Sequence, residues 1–121
     1  MKYRIWNKSL NKFVKPDEWY INGDGEVFFH DMMDGDLVPV KNDICVVQRC
    51  SEVMDKNGKE IWEGDIVTYI GGYDYNRGKH CKSEVTFRRG EFTPVPNLAT
   101  TWGTSIDSKS FEVIGNIFEN L

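Results

Sequence analysis

The stretch Asp55-Lys-Asn-Gly-Lys-Glu-Ile-Trp-Glu-Gly-Asp-Ile-Val67 carries the clearest structural signals in the sequence. Asn57-Gly58 is a strong hairpin signal, because both central positions of a type I′ turn require positive φ. Gly64-Asp65 breaks the chain again, and Ile66–Ile70 has the β-branched and aromatic residues of a strand. The stretch therefore predicts a hairpin and a second turn that leads directly into a strand.

On either side of this stretch, short strand patterns alternate with turn residues. No segment has a sustained 3.6-residue apolar period with caps at both ends, so we expect any helix to be short. Gly115 interrupts the last pattern and predicts a bulge or a sharp bend. Many short strands favour a small barrel or sandwich over βαβ units. Besides Ile66–Ile70, the expected strands are Tyr3–Trp6, Phe13–Val14, Trp19–Ile21, Val27–Phe29, Ile44–Arg49, Glu84–Arg88 and Phe111–Phe118.

The length of 121 residues suits one domain, or two small lobes that share a core, and such a chain folds without a metal or a disulfide. Three cysteines leave at least one unpaired, which is typical of a reducing cytoplasm. No apolar run approaches the ~20 residues that span a bilayer, and Met1–Trp6 lacks the apolar core of a secretory signal. We therefore expect a cytoplasmic protein without a membrane partner.

The net charge of −4 hides an uneven distribution of charged residues. Residues 17–36 contain seven acids and no Lys or Arg, whereas residues 77–89 contain five Lys or Arg and His80 against the single acid Glu84. Segregated charge makes the local potential more important than the net charge. The two segments are interpreted either as solvated faces or as complementary patches within an oligomer.

Three parts of the sequence resemble the YopX family of phage and prophage proteins. Tyr3–Trp6 is similar to the family's aromatic-Arg-x-Trp start, and residues 55–67 match its central signature almost letter for letter. Glu112–Asn120 is similar to its closing segment, and the motifs have the order and spacing that the family requires. One departure lies at Cys50–Met54, where the family has Tyr-Thr-Gly-Leu. The family glycine supplies a turn at this point, and Glu52 adopts that turn less readily than glycine does.

The strand pattern indicates a mainly β protein, α+β at most. The resemblance implies an SH3-like β-barrel in the C-terminal half, residues 50–121, and a small N-terminal lobe of short hairpins, residues 1–49. It also implies a phage or prophage origin and makes self-assembly plausible. It assigns no catalytic residues, because none are established for the family.

Four soft side chains raise the question of a zinc site, because zinc accepts both cysteine and histidine. Cys45 and Cys50 do not form a Cys-x-x-Cys pair with any other cysteine, and they face opposite sides of a continuous strand. Free cysteine is usually a small buried hydrophobic residue. We therefore predict no metal site and no other cofactor. The four side chains considered are Cys45, Cys50, His80 and Cys81.

The signature also contains three acidic residues, Glu60, Glu63 and Asp65. Paired carboxylates serve as acid and base when their environments separate their pKa values. In a hairpin, turn and strand they are more simply solvent-facing charges, with Asp65 bonding turn amides. The sequence also lacks a phosphate-binding glycine loop with a lysine. We predict no catalytic residue, and a protein that is not an enzyme.

The glycine-rich segment 71–82 is the best candidate for a mobile loop. Aromatic residues alternate there with cations, which is typical of surfaces that stack bases and neutralise phosphates. Tyrosine and arginine are equally enriched at protein interfaces. We therefore expect the segment and the strand after it to carry either nucleic-acid contacts or subunit contacts. The candidate residues are Tyr73, Tyr75, Arg77, Lys79, His80, Lys82, Arg88 and Arg89.

These observations favour a non-enzymatic phage or prophage accessory protein that acts by protein–protein contact. We expect a homo-oligomer in the cytoplasm of the bacterial host, with a phage or host protein as a further partner. Nucleic-acid binding through the basic, aromatic-interleaved residues 73–89 is the alternative.

Overall fold

The computed structural model describes residues 2–30, 33, 35–41, 43–71, 77–94 and 110–119, and the predicted mainly β class is confirmed there. A three-residue 3-10 helix, Pro16–Glu18, precedes the third strand. Within the described residues, no helix has the length and apolar character needed to cross a bilayer. The strands are β1 (Tyr3–Asn7), β2 (Lys12–Phe13), β3 (Trp19–Ile21), β4 (Val27–His30), β5 (Leu37–Pro39), β6 (Cys45–Met54), β7 (Glu60–Trp62), β8 (Asp65–Ile70), β9 (His80–Glu84), β10 (Thr86–Arg88), β11 (Glu91–Thr93) and β12 (Glu112–Asn116).

The chain divides into two compact units. The N-terminal unit comprises Tyr3–Gln48, and the C-terminal unit comprises Met1–Lys2 with Arg49–Leu121. Strand β6 crosses the boundary, because it begins in the N-terminal unit and ends in the C-terminal unit. The division of the chain into two lobes, residues 1–49 and 50–121, stays a prediction.

The N-terminal unit contains a hairpin and a three-stranded sheet. β1 pairs with β2 and also neighbours β6, while β3, β4 and β5 pair in chain order. Ile5, Val27 and Cys45 form the buried core of this unit. Trp19 and Phe29 pack against that core from one face of the three-stranded sheet.

The C-terminal unit is built around β8, the middle strand of a sheet with the order β12-β8-β9. β10 and β11 form a separate hairpin, and β7 pairs with β6. The core consists of four fully buried side chains, and the ring of Tyr69 stacks on one of them with 4.9 Å between centroids. The core residues are Ile61, Val67, Val85 and Phe111, the last being the stacking partner of Tyr69.

The hairpin predicted at Asn57-Gly58 is confirmed, but the predicted turn type is wrong. The Asp55 amide donates to the Lys59 carbonyl at 2.7 Å, and the Gly58 amide donates to the Asp55 carbonyl at 3.0 Å. Of the two turn residues, only Gly58 has a positive φ, at 79°. A type I′ turn would require it at both. The loop therefore has three residues, and its glycine takes the left-handed position that closes such loops.

The second predicted turn is also confirmed, because β7 ends at Trp62 and β8 begins at Asp65. Gly64 lies between them with a φ of 86°, a conformation that favours glycine. The Trp62 amide donates to Oδ2 of Asp65 at 2.8 Å. The prediction that Asp65 bonds a turn amide is therefore confirmed.

The carboxylate of Asp55 ties the signature hairpin to the last strand. Its Oδ1 accepts the amides of Asn57 and Lys59 at 2.8 and 2.9 Å. Its Oδ2 accepts the amide of Val113 at 3.0 Å. Burial by itself raises the pKa of Asp55, but the three amide bonds outweigh burial and hold this pKa below its ordinary 3.8.

Glu52, where the sequence departs from the family pattern, has an unusual backbone conformation. Its φ is 63°, which glycine adopts readily and which costs most other residues about 1–2 kcal/mol. A register shift interrupts the pairing of β6 with β7 at this point. Ser51 supports the irregular backbone, because its Oγ donates to the Ile61 carbonyl at 2.6 Å and accepts the Val53 amide at 3.2 Å.

The segment 71–82, expected to be a mobile loop, ends in a strand. β9 begins at His80, and the amide of Gly71 donates to the Lys79 carbonyl at 2.9 Å. Residues 72–76 lie outside the described residues. The prediction of a loop is therefore wrong for its last three positions, which pair with β8.

Three further details compare the expected strands with the structure. The strand expected at Glu84–Arg88 is divided, because Val85 enters the core and its amide donates to the Asp65 carbonyl at 2.8 Å. β5, Leu37–Pro39, was not expected at all. The bulge predicted at Gly115 is confirmed by a register shift between β12 and β8.

Replacing Asp55 with asparagine tests the link between the hairpin and β12. In Asp55→Asn, an NH₂ group replaces one of the two carboxylate oxygens, and this group cannot accept a hydrogen bond. At least one of the three amides is therefore left without a partner. We expect the free energy of unfolding to fall by about 2–3 kcal/mol at pH 7 in urea denaturation. Asp24→Asn, at an exposed position, is the matched control and should change it by less than about 0.5 kcal/mol.

The pH dependence gives a second measurement on the same pair of proteins. Because the folded-state pKa of Asp55 is lowered, its carboxylate stabilises the fold fully above its ordinary pKa of 3.8. That contribution disappears as the pH falls through the lower folded-state pKa. The stability difference between wild type and Asp55→Asn should therefore shrink in acid, and a difference that stays constant would contradict the assignment.

Candidate functional site

The candidate contact residues are the eight aromatic and basic side chains between residues 73 and 89. Tyr73 and Tyr75 lie outside the described residues. The other six belong to the turn before β9, to β9 itself, and to the β10–β11 hairpin. All six are exposed to solvent: Arg77, Lys79, His80, Lys82, Arg88 and Arg89.

Strand β9 presents alternate residues to solvent. His80, Lys82 and Glu84 are exposed, whereas Cys81 and Ser83 between them are partly buried. β9 pairs with β8 over its whole length and is the outer strand in the order β12-β8-β9. The strand therefore carries two of the six candidate side chains on one solvent-facing side.

The β10–β11 hairpin has the type I′ turn that the sequence predicted elsewhere. Arg88 pairs with Glu91, so Arg89-Gly90 forms a two-residue loop. The φ angles of Arg89 and Gly90 are 53° and 79°, and positive φ at both positions defines this turn. The turn places Arg89 at the tip of the hairpin.

Arg49 connects this hairpin to the rest of the C-terminal unit. Its guanidinium lies over the ring of Phe87, 4.6 Å from the centroid, and Phe87 contacts Phe92 at 4.7 Å between centroids. The same guanidinium pairs with Glu63 at 3.3 Å, and the Arg49 amide donates to Glu63 at 3.1 Å. Glu63 therefore orients an arginine that packs on an aromatic ring.

Each carboxylate of the signature has its own structural partner. Lys2 donates to Oε1 of Glu60, and this bond, followed by the one from Cys50, lowers the pKa of Glu60. Asp65 is only 2% exposed. The expectation of solvent-facing charges is therefore wrong for Asp65, because its carboxylate turns inward to bond a turn amide.

The thiol of Cys50 is a buried hydrogen-bond donor. Its Sγ donates to Oε2 of Glu60 at 3.0 Å and accepts the Glu52 amide at 3.3 Å. Burial, reinforced by the bond to Glu60, raises the pKa of Cys50 to about 11. The thiolate is the nucleophilic form of cysteine, so at neutral pH this residue acts as a structural thiol.

The other zinc candidates occupy unrelated positions. Cys45 lies in the core of the N-terminal unit, where burial raises its pKa. Cys81 is partly buried on β9, and its Sγ donates to the Lys79 carbonyl at 3.6 Å. In the described part of the chain, no group of three or more His, Cys, Asp or Glu side chains is placed to hold a metal ion.

An exposed apolar sheet face lies on the N-terminal unit, and sequence reasoning missed it. Tyr20, Phe28 and Pro39 lie opposite one another across β3, β4 and β5, and the pair His30 and Leu37 shares their side of the sheet. Tyr20 and Leu37 are each 49% exposed. The Tyr20 and His30 rings make an edge contact with 5.0 Å between centroids. We call these five residues the apolar face.

A groove of about 160 Å³ includes His30 of the apolar face in its lining. Leu10, Val14 and Phe29 supply its apolar lining, and Leu10 is 61% exposed. Lys12 and Glu18 bring opposite charges to its rim. The groove has no single charge preference, and the apolar face beside it is the more distinctive feature.

Comparison with known proteins identifies the fold. The family model described as YopX protein matches residues 2–121. The crystal structure of protein yopX from Bacillus subtilis has a TM-score of 0.62 at 22% identity, with 98% of this chain and 93% of that chain covered. Protein EF1440 from Enterococcus faecalis has a TM-score of 0.58 at 20% identity, with 98% and 94% covered. At these identities the likeness shows the fold alone. No curated protein matches the chain.

The buried state of Cys50 is testable by alkylation. In native protein at pH 8, we expect Cys50 to react with iodoacetamide about 100-fold more slowly than in the urea-unfolded chain, because little thiolate is present. Cys81, which is partly exposed, should be modified first. Peptide mass spectrometry measures both rates. Equal rates for Cys50 in the folded and unfolded states would contradict the assignment.

Proposed function

Because the chain belongs to the YopX family, we propose that it is a phage or prophage accessory protein that acts by protein–protein contact, without catalysis, and that it self-assembles. It works in the cytoplasm of the bacterial host, where a phage or host protein is its further partner. The observation that carries this proposal is the apolar face of the β3–β4–β5 sheet. Large exposed apolar patches rimmed by polar residues are typical of interaction sites.

The non-enzymatic part of the proposal is supported by the structural roles of the reactive side chains in the signature. Glu60 bonds Lys2 and Cys50, and Glu63 bonds Arg49. A catalytic group needs a pKa near the working pH, whereas the pKa of Glu60 is lowered and that of Cys50 is raised to about 11. Both groups therefore hold a protonation state suited to hydrogen bonding.

We also propose that residues 50–121 form an SH3-like barrel. The support is the arrangement of short antiparallel strands around one core in the C-terminal unit. The bulge at Gly115 also fits this proposal, because bulges bend strands where a small sheet curves.

Sedimentation tests the self-assembly. We expect the weight-average mass of the wild type to exceed that of a monomer and to rise with concentration across the micromolar range. Tyr20→Ser and Leu37→Ser should each shift the mass toward the monomer, because they remove apolar area from the apolar face. Ile114→Ser, which removes an exposed apolar side chain from β12, is the matched control. A wild type that remains monomeric throughout would refute self-assembly.

Nucleic-acid binding is the second candidate function. It is favoured by the exposure of all six described candidates between residues 77 and 89, five of which are Lys or Arg. Cations on an open surface neutralise phosphates without reading sequence, and the resulting affinity depends strongly on salt. The exposed face of β9 and the tip of the β10–β11 hairpin would supply the contacts.

Salt-dependent binding to mixed-sequence DNA and RNA tests this candidate. We expect affinity to fall steeply as salt rises. Arg88→Ala/Arg89→Ala should weaken binding and reduce the salt slope by about 2, because each arginine neutralises one phosphate. Lys8→Ala/Lys15→Ala removes the same charge from the other unit and serves as the control. Fluorescence anisotropy measures both. No binding at low salt would eliminate this function.

A further inference from the structure

Acidic residues lie in the segments that directly precede or connect the strands of the apolar face. Asp24 and Glu26 lie in the turn between β3 and β4, Asp36 directly precedes β5, and all three are exposed. Asp17 and Glu18 directly precede β3 and are exposed too. Residues 17–36 contain no Lys or Arg. The face therefore combines aromatic and aliphatic surface with a negative rim, which is the chemistry that recognises arginine.

The chain already uses this chemistry internally. Arg49 lies over the Phe87 ring while Glu63 binds its guanidinium. Arg4 lies over the Phe13 ring at 4.4 Å from the centroid. Arginine is suited to such sites because its flat, weakly hydrated guanidinium stacks on rings and still bonds carboxylates. A second set of arginines on another molecule would fit the apolar face in the same way.

The β10–β11 hairpin presents two exposed arginines at its tip. Arg89 occupies the first central position of a type I′ turn, where asparagine is preferred and a long side chain adds strain. Backbone strain of this kind often occurs where the side chain is used in a contact. Arg88 precedes it on β10, and Lys82 and His80 are exposed on β9.

We propose that the apolar face of one copy receives the arginine tip of the β10–β11 hairpin of a second copy, with the cations of β9 supporting the contact. This inference rests on the proposed self-assembly and names the two surfaces that carry it. A contact between the apolar faces of two copies would bring their acidic rims together, which disfavours it. The pairing of acidic and basic surfaces instead joins unlike surfaces of the two copies.

Two charge-reversal variants test the pairing. Asp24→Lys/Asp36→Lys reverses the rim of the apolar face, and Arg88→Glu/Arg89→Glu reverses the hairpin tip. Each variant alone should sediment as a monomer, because one of its two surfaces no longer matches. An equimolar mixture should assemble again with the two variants alternating, because the arginine tip of one matches the acidic rim of the other and the glutamate tip matches the lysine rim. All four changes in one chain should restore assembly.

Arg89→Asn separates a contact role from a structural one. Asparagine suits the left-handed position better, so this variant should raise the urea midpoint of unfolding. It should also weaken assembly by about tenfold or more, because the guanidinium is absent. If Arg89 had only a structural role, Arg89→Asn would lower the stability of the protein and its assembly together. Lys8→Glu reverses an exposed cation elsewhere and should leave the sedimentation profile unchanged.

Each contrary result has a distinct meaning. A monomeric wild type overturns the self-assembly and this inference together. A wild-type oligomer that both reversals leave intact overturns the inference while self-assembly stands. Loss of assembly with only one of the two reversals, or a mixture that stays monomeric, also overturns the pairing. Urea unfolding of every variant distinguishes these results from a failure to fold.

Discussion

The buried carboxylate of Asp55 is the constraint on which the C-terminal unit depends. It receives two amides from its own turn and one from Val113, which is 58 residues away. Lys56 adds two parallel links, because its amide bonds the Phe111 carbonyl at 2.9 Å and its ammonium pairs with Glu112 at 3.0 Å. The hairpin thereby holds the segment that inserts Phe111 into the core.

The same arrangement recurs wherever a strand ends on a buried polar residue. Asn7 accepts the amides of two turn residues, Asp65 accepts that of Trp62, and Asn116 accepts that of Phe118. A fold of many short strands has many turns, and each buried turn needs its amides satisfied. Of the three carboxylates that resemble an acid–base cluster in sequence, Glu63 and Asp65 accept backbone amides, and Glu60 accepts bonds from the side chains of Lys2 and Cys50.

The surfaces left for function are unlike in character. The N-terminal unit exposes an apolar sheet face with an acidic rim, and the C-terminal unit exposes cations on β9 and at the β10–β11 tip. Arg49 fixes that hairpin through Phe87 and Glu63, so the cations at its tip extend from a supported element. Charge of opposite sign on two parts of one chain favours contacts between unlike surfaces of two copies over contacts between identical surfaces.

The sequence by itself determined the family, the mainly β class, the two turns of the signature and the bulge at Gly115, because these depend on a few adjacent residues. The type of each turn depended also on the pairing of the strands that it joins. Arg89-Gly90 is the type I′ turn because Arg88 pairs with Glu91. Tertiary structure alone decided the burial of Asp65 and the exposure of the apolar face. β5 has no alternating pattern of its own and becomes a strand by pairing with β4. Burial and exposure follow from long-range contacts, which no local pattern encodes.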